Sequence, residues 1–288
     1  MKEKNSLAIT DYNLGKLKKE LSNRFKQANI KSHYIDADLI ISKVTGLSRE
    51  KILAYPELKL SEKQLNGIFE LSVKRVKRYP MAYILGYKDF YGLNFKVNEN
   101  VLIPRPETEH LIETFLKYSH EFENILDLCC GSGCIGITVK HLVPNIEVTL
   151  SDISKPALDT ARENAVNLLK SDKKITFIQS SLFENIKGKF DAILCNPPYV
   201  SEREYIELST DVHFEPEIAL LGKNNGLEFY ERIALEAKEY LKPGGFVFFE
   251  MGDKQIDSII EICQSNNYIF REQVKDYSGK DRIVVFSI

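Results

Sequence analysis

The chain has 288 residues, 43% hydrophobic and 28% charged, which suits one large globular domain plus a small one, each around its own core. A formal net charge of −2 supplies no global basic field, which argues against nucleic-acid binding as the main activity. The polar start Met1-Lys2-Glu3-Lys4-Asn5 lacks a signal-peptide core and no apolar run reaches the ~20 residues that span a bilayer, so a cytoplasmic protein without membrane contact is expected.

Residues 1–82 read as an all-helical domain. Leu14, Leu17, Leu21 and Phe25 recur at helical spacing, and Ala37, Ile40, Ile41 and Val44 do so again before Gly46. A third helix is predicted to start at Ser61, where Gln64 completes a capping box. Leu65, Ile68, Phe69, Val73 and Val76 are expected to share its buried face. Lys74, Arg75, Lys77 and Arg78 close that helix before Pro80. They are expected to be solvated cations offsetting the helix dipole, with a patch for an anionic partner as the alternative.

From Tyr83 to Val101 glycines and aromatics alternate with apolar residues, which predicts a hairpin linker over residues 83–106. The prolines of Ile103-Pro104-Arg105-Pro106-Glu107-Thr108-Glu109 exclude a helix or central strand until Glu107. A second domain over residues 107–288 then alternates strands and helices. Strands are predicted at Ile125–Leu128, Glu147–Leu150, Ile175–Ile178, Phe190–Leu194, Phe246–Phe249 and Ile283–Phe286. Helices are predicted at Ile135–Leu142, Ser154–Leu169, Leu227–Leu241 and Ile256–Cys263, with Pro243-Gly244-Gly245 turning the third into its strand. The alternation implies a doubly wound α/β sheet that binds ligands at the carboxyl ends of its strands.

Five cysteines, Cys129, Cys130, Cys134, Cys195 and Cys263, read as reduced thiols in core sequence. Cys129, Cys130 and Cys134 lack a C-x-x-C loop and a supporting His, so no metal site is expected. Gly131-Ser132-Gly133-Cys134-Ile135-Gly136 follows a strand and opens a helix, and Asp152 ends the next strand. Such glycines let backbone N–H groups approach a ligand, and such an acid accepts from ribose hydroxyls. The pattern selects a nucleoside-bearing cofactor and leaves open whether that is a nicotinamide dinucleotide or S-adenosylmethionine, whose carboxylate suits a helix N-terminus. A tight strand–helix turn without a ligand, with Asp152 capping the turn into Ser154, is the structural alternative.

The strand ending at Cys195 runs into Asn196-Pro197-Pro198-Tyr199. Residues before proline are pushed out of the helical region, and prolines donate no N–H. A stiff strand end results, presenting the Asn196 side-chain oxygen, the Pro197 carbonyl and an aromatic wall at Tyr199. Two acceptors beside a flat ring suit a planar nitrogen that carries hydrogens, whereas hydride transfer needs no such pair. S-adenosylmethionine-dependent methylation of an amide or amino nitrogen is therefore the expected chemistry, against a proline turn that only closes a strand. No residue of the motif is an evident general base, so holding the reacting atoms in line carries most of the expected catalysis.

At these residues the chain resembles the HemK-like (PrmC-type) family of protein-glutamine methyltransferases. The likeness includes Tyr83-Ile84-Leu85-Gly86, Phe90-Tyr91-Gly92, Val101 through Glu109, Asp127-Leu128, Gly131-Ser132-Gly133, Asp152 and Asn196 through Tyr199. It continues at Asp211, Phe214-Glu215-Pro216, Gly226-Leu227, Tyr230, Gly244-Gly245, Glu250 and Asp281-Arg282. The resemblance implies a seven-stranded Rossmann-like methyltransferase sheet and an N-terminal helical domain that helps hold the protein substrate. It also implies methylation of the glutamine in the Gly-Gly-Gln motif of class I peptide-chain release factors. Implied catalytic residues are Asn196 and Pro197, with Pro198 and Tyr199 completing the substrate site. Cys129, Cys130, Gly131, Ser132, Gly133, Asp152, Leu182 and Asn196 are the implied cofactor residues.

The chain departs from the family pattern in three places. Cys129 and Cys130 stand where the family often has Gly and Thr, without expected loss of cofactor binding. Ser181 replaces a usual Asp before Leu182, the implied adenine neighbour, and Phe183 is expected to contribute to that wall instead. Rival readings are a glutamine methyltransferase acting on a ribosomal protein, an adenine-N6 nucleic-acid methyltransferase, and a non-catalytic cofactor-binding module. No direct nucleic-acid contact is expected, and a monomer is.

Overall fold

Asn13, Ser48 and Ser61 start three helices by one device, a side-chain oxygen that accepts a first-turn backbone N–H from Lys16, Lys51 and Gln64 respectively. At Ser61 the Gln64 side chain returns a bond to the Ser61 backbone, completing the predicted capping box. In the computed structural model, which describes residues 12–169 and 175–288, these caps open α1 (Leu14–Gln27), α3 (Arg49–Ala54) and α4 (Glu62–Val76). α2 (His33–Thr45) and α5 (Met81–Leu85) complete the set, each closed by a left-handed glycine, Gly46 and Gly86. α3 is not among the expected helices, because six residues are too few to show a period.

Leu14, Leu17, Leu21, Phe25, Ile40, Ile41, Leu65 and Ile68 form the core of this helical unit. The buried face of α4 differs from the expected one. Val73 and Val76 are 51% and 39% exposed, while Ser72 and Arg75 join Leu65 and Ile68 inside. At about 100° per residue, positions 65, 68, 72 and 75 stay on one stripe, and Phe69, Val73 and Val76 rotate off it. Nor are all four cations solvated. Arg75 is 6% exposed, its Nε 2.7 Å from Asp36 Oδ2 and its Nη1 2.7 Å from Asp211 Oδ2. Arg78, just past the helix at φ 70°, donates to Asp211 Oδ1 and to the Asn29 carbonyl. Lys74 and Lys77 remain exposed.

The helical unit runs to Gly86 rather than 82 and takes in Thr210–Phe214. The small net charge hides a division. Residues 12–86 carry 15 Lys and Arg against 7 Asp and Glu, whereas residues 87–288 carry 22 against 32.

The second unit, Tyr87–Ser209 with Glu215–Ile288, opens with the hairpin β1 (Tyr87–Phe90) and β2 (Leu93–Lys96). Its turn places Tyr91 and Gly92 at φ 50° and 74°, the signs a right-twisted two-residue hairpin needs. The hairpin is shorter than the expected linker, since Tyr83–Leu85 is helical. A 3-10 turn at Pro106–Thr108 then leads into α6 (Glu109–Tyr118).

Alternation follows as predicted. In chain order come β3 (Asn124–Leu128), α7 (Cys134–Leu142), β4 (Glu147–Asp152), α8 (Lys155–Leu169), β5 (Ile175–Gln179) and β6 (Phe190–Cys195). After them come α9 (Glu202–Glu207), the single turn α10 (Lys223–Gly226), α11 (Glu228–Glu236), β7 (Leu241–Glu250), α12 (Ile256–Ser265), β8 (Ile269–Lys275) and β9 (Asp281–Ser287). The sheet order is β5-β4-β3-β6-β7-β9-β8, with β9 antiparallel to both β7 and β8 and the other pairs parallel. This is a seven-stranded Rossmann-like sheet. Successive residues serve opposite faces. Leu126, Ile193 and Val247 pack with Tyr230, Ile233 and Ile259, whereas Ile125, Leu194 and Phe248 pack with Leu111, Phe115 and Ile137.

Two predicted boundaries shift. The helix expected to reach Leu241 ends as a 3-10 turn at Tyr240, and β7 already begins at Leu241, paired with Phe190. Pro243 and Gly244 sit in an irregularity of that strand. β8 is not among the expected strands, because as an edge strand it is largely exposed and carries Arg271, Glu272 and Gln273. Among the described residues no helix is long and apolar enough to cross a membrane.

Candidate active site

The chain switches direction across the sheet between β3 and β6, whose ends are in register at Leu128 and Cys195. A cavity lies at this switch point, where open α/β sheets bind ligands. Leu128, Cys129 and Gly131 line it after β3, Asp152 to Ser154 after β4, and Ser180 to Leu182 after β5. Asn196 and Pro198 contribute from β6, and Val101, Leu102, Pro216 and Ile218 from two loops. Those loops are tied together by Glu215, 5% exposed, which accepts from the Ile103 N–H at 2.9 Å and from Arg105 Nη2 at 2.5 Å. The Pro-Arg-Pro and Phe-Glu-Pro sequence motifs thus meet in one half-buried ion pair.

The three glycines divide the work. A Cβ on Gly133 would lie 2.7 Å from Ile137 Cδ1, and one on Gly136 would lie 2.6 Å from Leu150 Cδ2. Gly136 serves close packing of α7 on β3 and β4, whereas Gly133, also near Ala161 Cβ at 3.2 Å, lets the start of α7 pack against α8. Gly131, at φ 53°, has open space where its Cβ would be, and it lines the cavity. Cys129 also adopts a left-handed φ of 61°, which costs a non-glycine residue ~1–2 kcal/mol.

Asp152 combines a cavity-facing position with the capping of both turns. Its Oδ2 accepts the Gly131 N–H at 2.9 Å and its Oδ1 the Ser154 N–H at 2.8 Å, so it caps both turns while lining the cavity. Burial pushes its carboxyl above the ordinary range, and the backbone bonds oppose that shift. Each oxygen retains a lone pair for a ligand hydroxyl.

Of the expected cofactor residues, Cys129, Gly131, Asp152, Leu182 and Asn196 line the cavity. Cys130, Ser132 and Gly133 instead shape the turn, with Cys130 N–H bonded to the Ser151 carbonyl and the Ser132 carbonyl accepting from Asn164. Phe183 does not form the expected wall. It is fully buried and stacks on Tyr240 with centroids 4.7 Å apart. Leu182, at φ 48°, takes the wall position, with Ser181 beside it.

Of the expected substrate residues, Asn196 and Pro198 face the cavity. Pro197 is buried, and Tyr199 lines a different groove with Val200, Gln255 and Arg282. The Asn196 Nδ2 donates to Thr108 Oγ1 at 3.5 Å. The Tyr199 hydroxyl donates to Glu250 Oε1 at 3.5 Å, while its carbonyl accepts from Gln255 Nε2 at 3.1 Å.

Two buried acids lie outside the expected set of site residues. Asp127 is fully buried, accepts the Gly136 N–H at Oδ2 (2.8 Å), and leaves Oδ1 without a partner among the described residues. Burial raises its pKa to about 8. Glu250 is 1% exposed, and burial pushes it up to about 7. The available signal is an acid inside an apolar strand run, at Leu126-Asp127-Leu128 and at Phe249-Glu250-Met251.

Two family models match the chain. "PrmC N-terminal domain" covers residues 16–86 and "Methyltransferase small domain" covers residues 106–213. A release factor glutamine methyltransferase of Leptospira interrogans is 38% identical over 277 residues, 94% of this chain and 96% of the relative. One of Clostridium botulinum is 39% identical over 266 residues, 90% of this chain and 93% of the relative. Among solved structures, a methyltransferase from Pyrococcus furiosus shares the fold with a TM-score of 0.52 at 20% identity, over 79% of this chain and 98% of that one.

Proposed function

The chain belongs to the release factor glutamine methyltransferase family, and from that premise we propose that Asn196 receives the side-chain amide of the glutamine in the Gly-Gly-Gln motif of a class I peptide-chain release factor. One observation carries this reading. Asn196 donates one of its two amide hydrogens to Thr108, and its Oδ1 takes no hydrogen bond from any described residue while the side chain lines the cavity of the glycine turn. That oxygen is the acceptor a substrate N–H requires, with the Pro197 carbonyl as the second.

S-adenosylmethionine supplies the methyl group, activated on a positively charged sulfur. The residues present fit it. Asp152 offers lone pairs to the ribose hydroxyls, and the N-terminus of α7 suits the carboxylate. The unpartnered Asp127 Oδ1 is the kind of buried acceptor that a cationic amine satisfies. Asn196 and Pro197 hold the substrate nitrogen by both hydrogens, which fixes its lone pair along the line of transfer. The proton leaves after transfer, when the nitrogen has become acidic.

The excess of cations on the helical unit supports a grip on an acidic face of the protein substrate. The reaction is placed in the cytoplasm, where release factors act. Incubation of the full chain with labelled cofactor and purified release factor, followed by peptide mass mapping, tests the assignment. A single methyl on the motif glutamine is expected. Label confined to a ribosomal protein or to nucleic acid would overturn it.

A further inference from the structure

A strand end made of prolines cannot hold itself in place. Pro197 and Pro198 donate no N–H, and the sheet register of β6 stops at Cys195, paired with Leu128 and Phe249. A residue before a proline still keeps a ψ range of roughly 40°. Turning the chain within that range re-aims the Asn196 side chain and the Pro197 carbonyl. Their direction therefore depends on what fixes the far end, at Tyr199 and Val200.

That end is held from two sides. Val200 gives its N–H to the Leu220 carbonyl at 2.9 Å and accepts the Gly222 N–H at 3.0 Å, a short parallel bridge. Gln255, the residue before α12, holds the other side. Its Oε1 accepts the Gly252 N–H at 2.9 Å, which sets the orientation of the amide. Its Nε2 then donates to the Tyr199 carbonyl at 3.1 Å and to the Asn225 carbonyl at 3.3 Å. The oxygen and both amide hydrogens of Gln255 thus all meet backbone groups. The turn that delivers Asn225 is strained, with Asn224, Asn225 and Gly226 left-handed at φ 53°, 55° and 84°. Asn and Gly are the residues that enter this region at least cost. A Cβ on Gly226 would collide with the Tyr199 carbonyl oxygen, and one on Gly222 would lie 2.6 Å from the Pro198 carbonyl oxygen. Only bare backbone can pack this closely against the strand end.

We propose that Gln255 is a positioning residue for methyl transfer, which holds the Tyr199 carbonyl and so aims Asn196 and the Pro197 carbonyl at the substrate nitrogen. The proposal rests on reading those two groups as the acceptors. Gln255 itself lines the groove of Tyr199 and not the cavity that Asn196 and Pro198 face, so it acts through the strand end. Gln255→Glu is nearly isosteric and keeps the acceptor for Gly252. An ionised carboxylate has no hydrogen to donate, however, and turns lone pairs toward the Tyr199 and Asn225 carbonyls. The strand end should then shift.

Single-turnover methylation of release factor by the full chain, with cofactor affinity and thermal stability measured in parallel, tests this role. A displacement of ~1 Å far from the chemistry can cost about 10²-fold. Gln255→Glu should therefore lose about ten- to a hundredfold in rate at saturating substrate, and Gln255→Leu, which removes the donors without adding charge, about tenfold. The KM for release factor and the cofactor affinity should hardly move. In an Asn196→Ala background Gln255→Glu should cost much less than in the native chain, because the acceptor it helps to aim is gone. Native rates in both Gln255 variants, or losses that multiply in full in the double variant, would overturn the proposal. Should Gln255→Glu fail to fold, Gln255→Leu decides by the same measurements. Failure of the underlying reading looks different, since it requires Asn196→Ala itself to methylate normally.

Discussion

Arg75 Nη1 donates to Asp211 Oδ2 at 2.7 Å, joining two residues 136 positions apart within one helical unit. Arg75 is buried, and its other acceptors are Asp36 Oδ2 and the Tyr79 carbonyl. Burial alone would weaken its charge, and the two aspartates more than restore it, leaving its pKa raised. Removing one partner from a buried pair typically costs ~3–5 kcal/mol. With Asp36 retained, Asp211→Ala should sit near the lower bound, about 3 kcal/mol. Arg78→Ala, which removes a more exposed member of the cluster, should cost less than ~1 kcal/mol. Urea unfolding followed by far-UV circular dichroism measures both, and equal effects would mean that burial of Arg75 is not what matters.

Cys129 gives a test of backbone strain. At φ 61° it occupies a conformation natural to glycine, and it packs against the sheet core. Cys129→Gly relieves ~1–2 kcal/mol of steric strain but frees the unfolded chain by ~0.5–1 kcal/mol, so a small net stabilisation is expected. Cys129→Val adds a branched Cβ and should cost more than ~1 kcal/mol. Thermal melting of the two variants should therefore bracket the native protein. A Val variant as stable as the native chain would remove strain from the account.

Much of this geometry is legible in the amino-acid sequence alone. The strands at Ile125 and Phe190 show as short apolar runs because both their faces are covered, and β5 shows as one because Ile175, Phe177 and Ile178, though on an edge strand, are half-buried against the two cores. Edge strand β8 has no such cover and therefore no such pattern. Asn196 and Asp152 stand out because prolines and glycines fix backbone geometry locally. Glu250 and Thr108 take no role from sequence, because Glu250 meets Tyr199 only where β7 lies beside β6, and Thr108 meets Asn196 across 88 positions of chain. The unexpected face of α4 has the same origin. Arg75 looks like a terminal cation until Asp211 arrives from a distant segment.

The helical unit should act through its charge. Lys16 and Lys19 on α1 are exposed, as are Lys74 and Lys77, which flank the exposed Val76 at the end of α4. Replacing the four lysines with glutamate should raise the KM for release factor about tenfold at low salt and progressively less as salt rises. The single-turnover rate at saturating substrate and the cofactor affinity should stay native. A KM that does not respond would place the grip on another face. Because Thr210–Phe214 belongs to the helical unit, substitution in the full chain is a cleaner test than deleting the first 82 residues.

Stability should fall as pH rises through neutrality. Asp127 has a folded pKa raised from 3.8 to about 8 by desolvation, so its contribution is complete below its unfolded pKa and is lost as pH climbs through about 8. Glu250 contributes with the same sign between its ordinary value and about 7. Denaturant midpoints of the ligand-free protein should therefore decline from pH 6 to pH 9. Asp127→Asn keeps an acceptor for the Gly136 N–H and should flatten the upper part of that decline. A steeper decline in the variant would contradict the assignment.

Asn196 is the sharpest point of attack on the function. Its Oδ1 is the acceptor that no described residue of the protein fills, in a side chain that lines the cavity. Asn196→Ala removes that acceptor and leaves the Pro197 carbonyl as the sole direct one. Losing a preorganised hydrogen-bonding partner in a water-excluded site typically costs ~2.7–4 kcal/mol, or about 10²–10³ in kcat. Asn196→Asp keeps an acceptor in nearly the same place but introduces a charge next to Thr108 and Glu250, so it should recover part of the rate, and more at high pH than at low. Cofactor affinity should fall much less in both, because Asp152 and Gly131 hold their places on other strands. Single-turnover methylation with parallel calorimetry separates these effects. If Asn196→Ala methylates release factor at a near-native rate, the strand end is only structural, and acceptance of the substrate amide must lie elsewhere in the cavity.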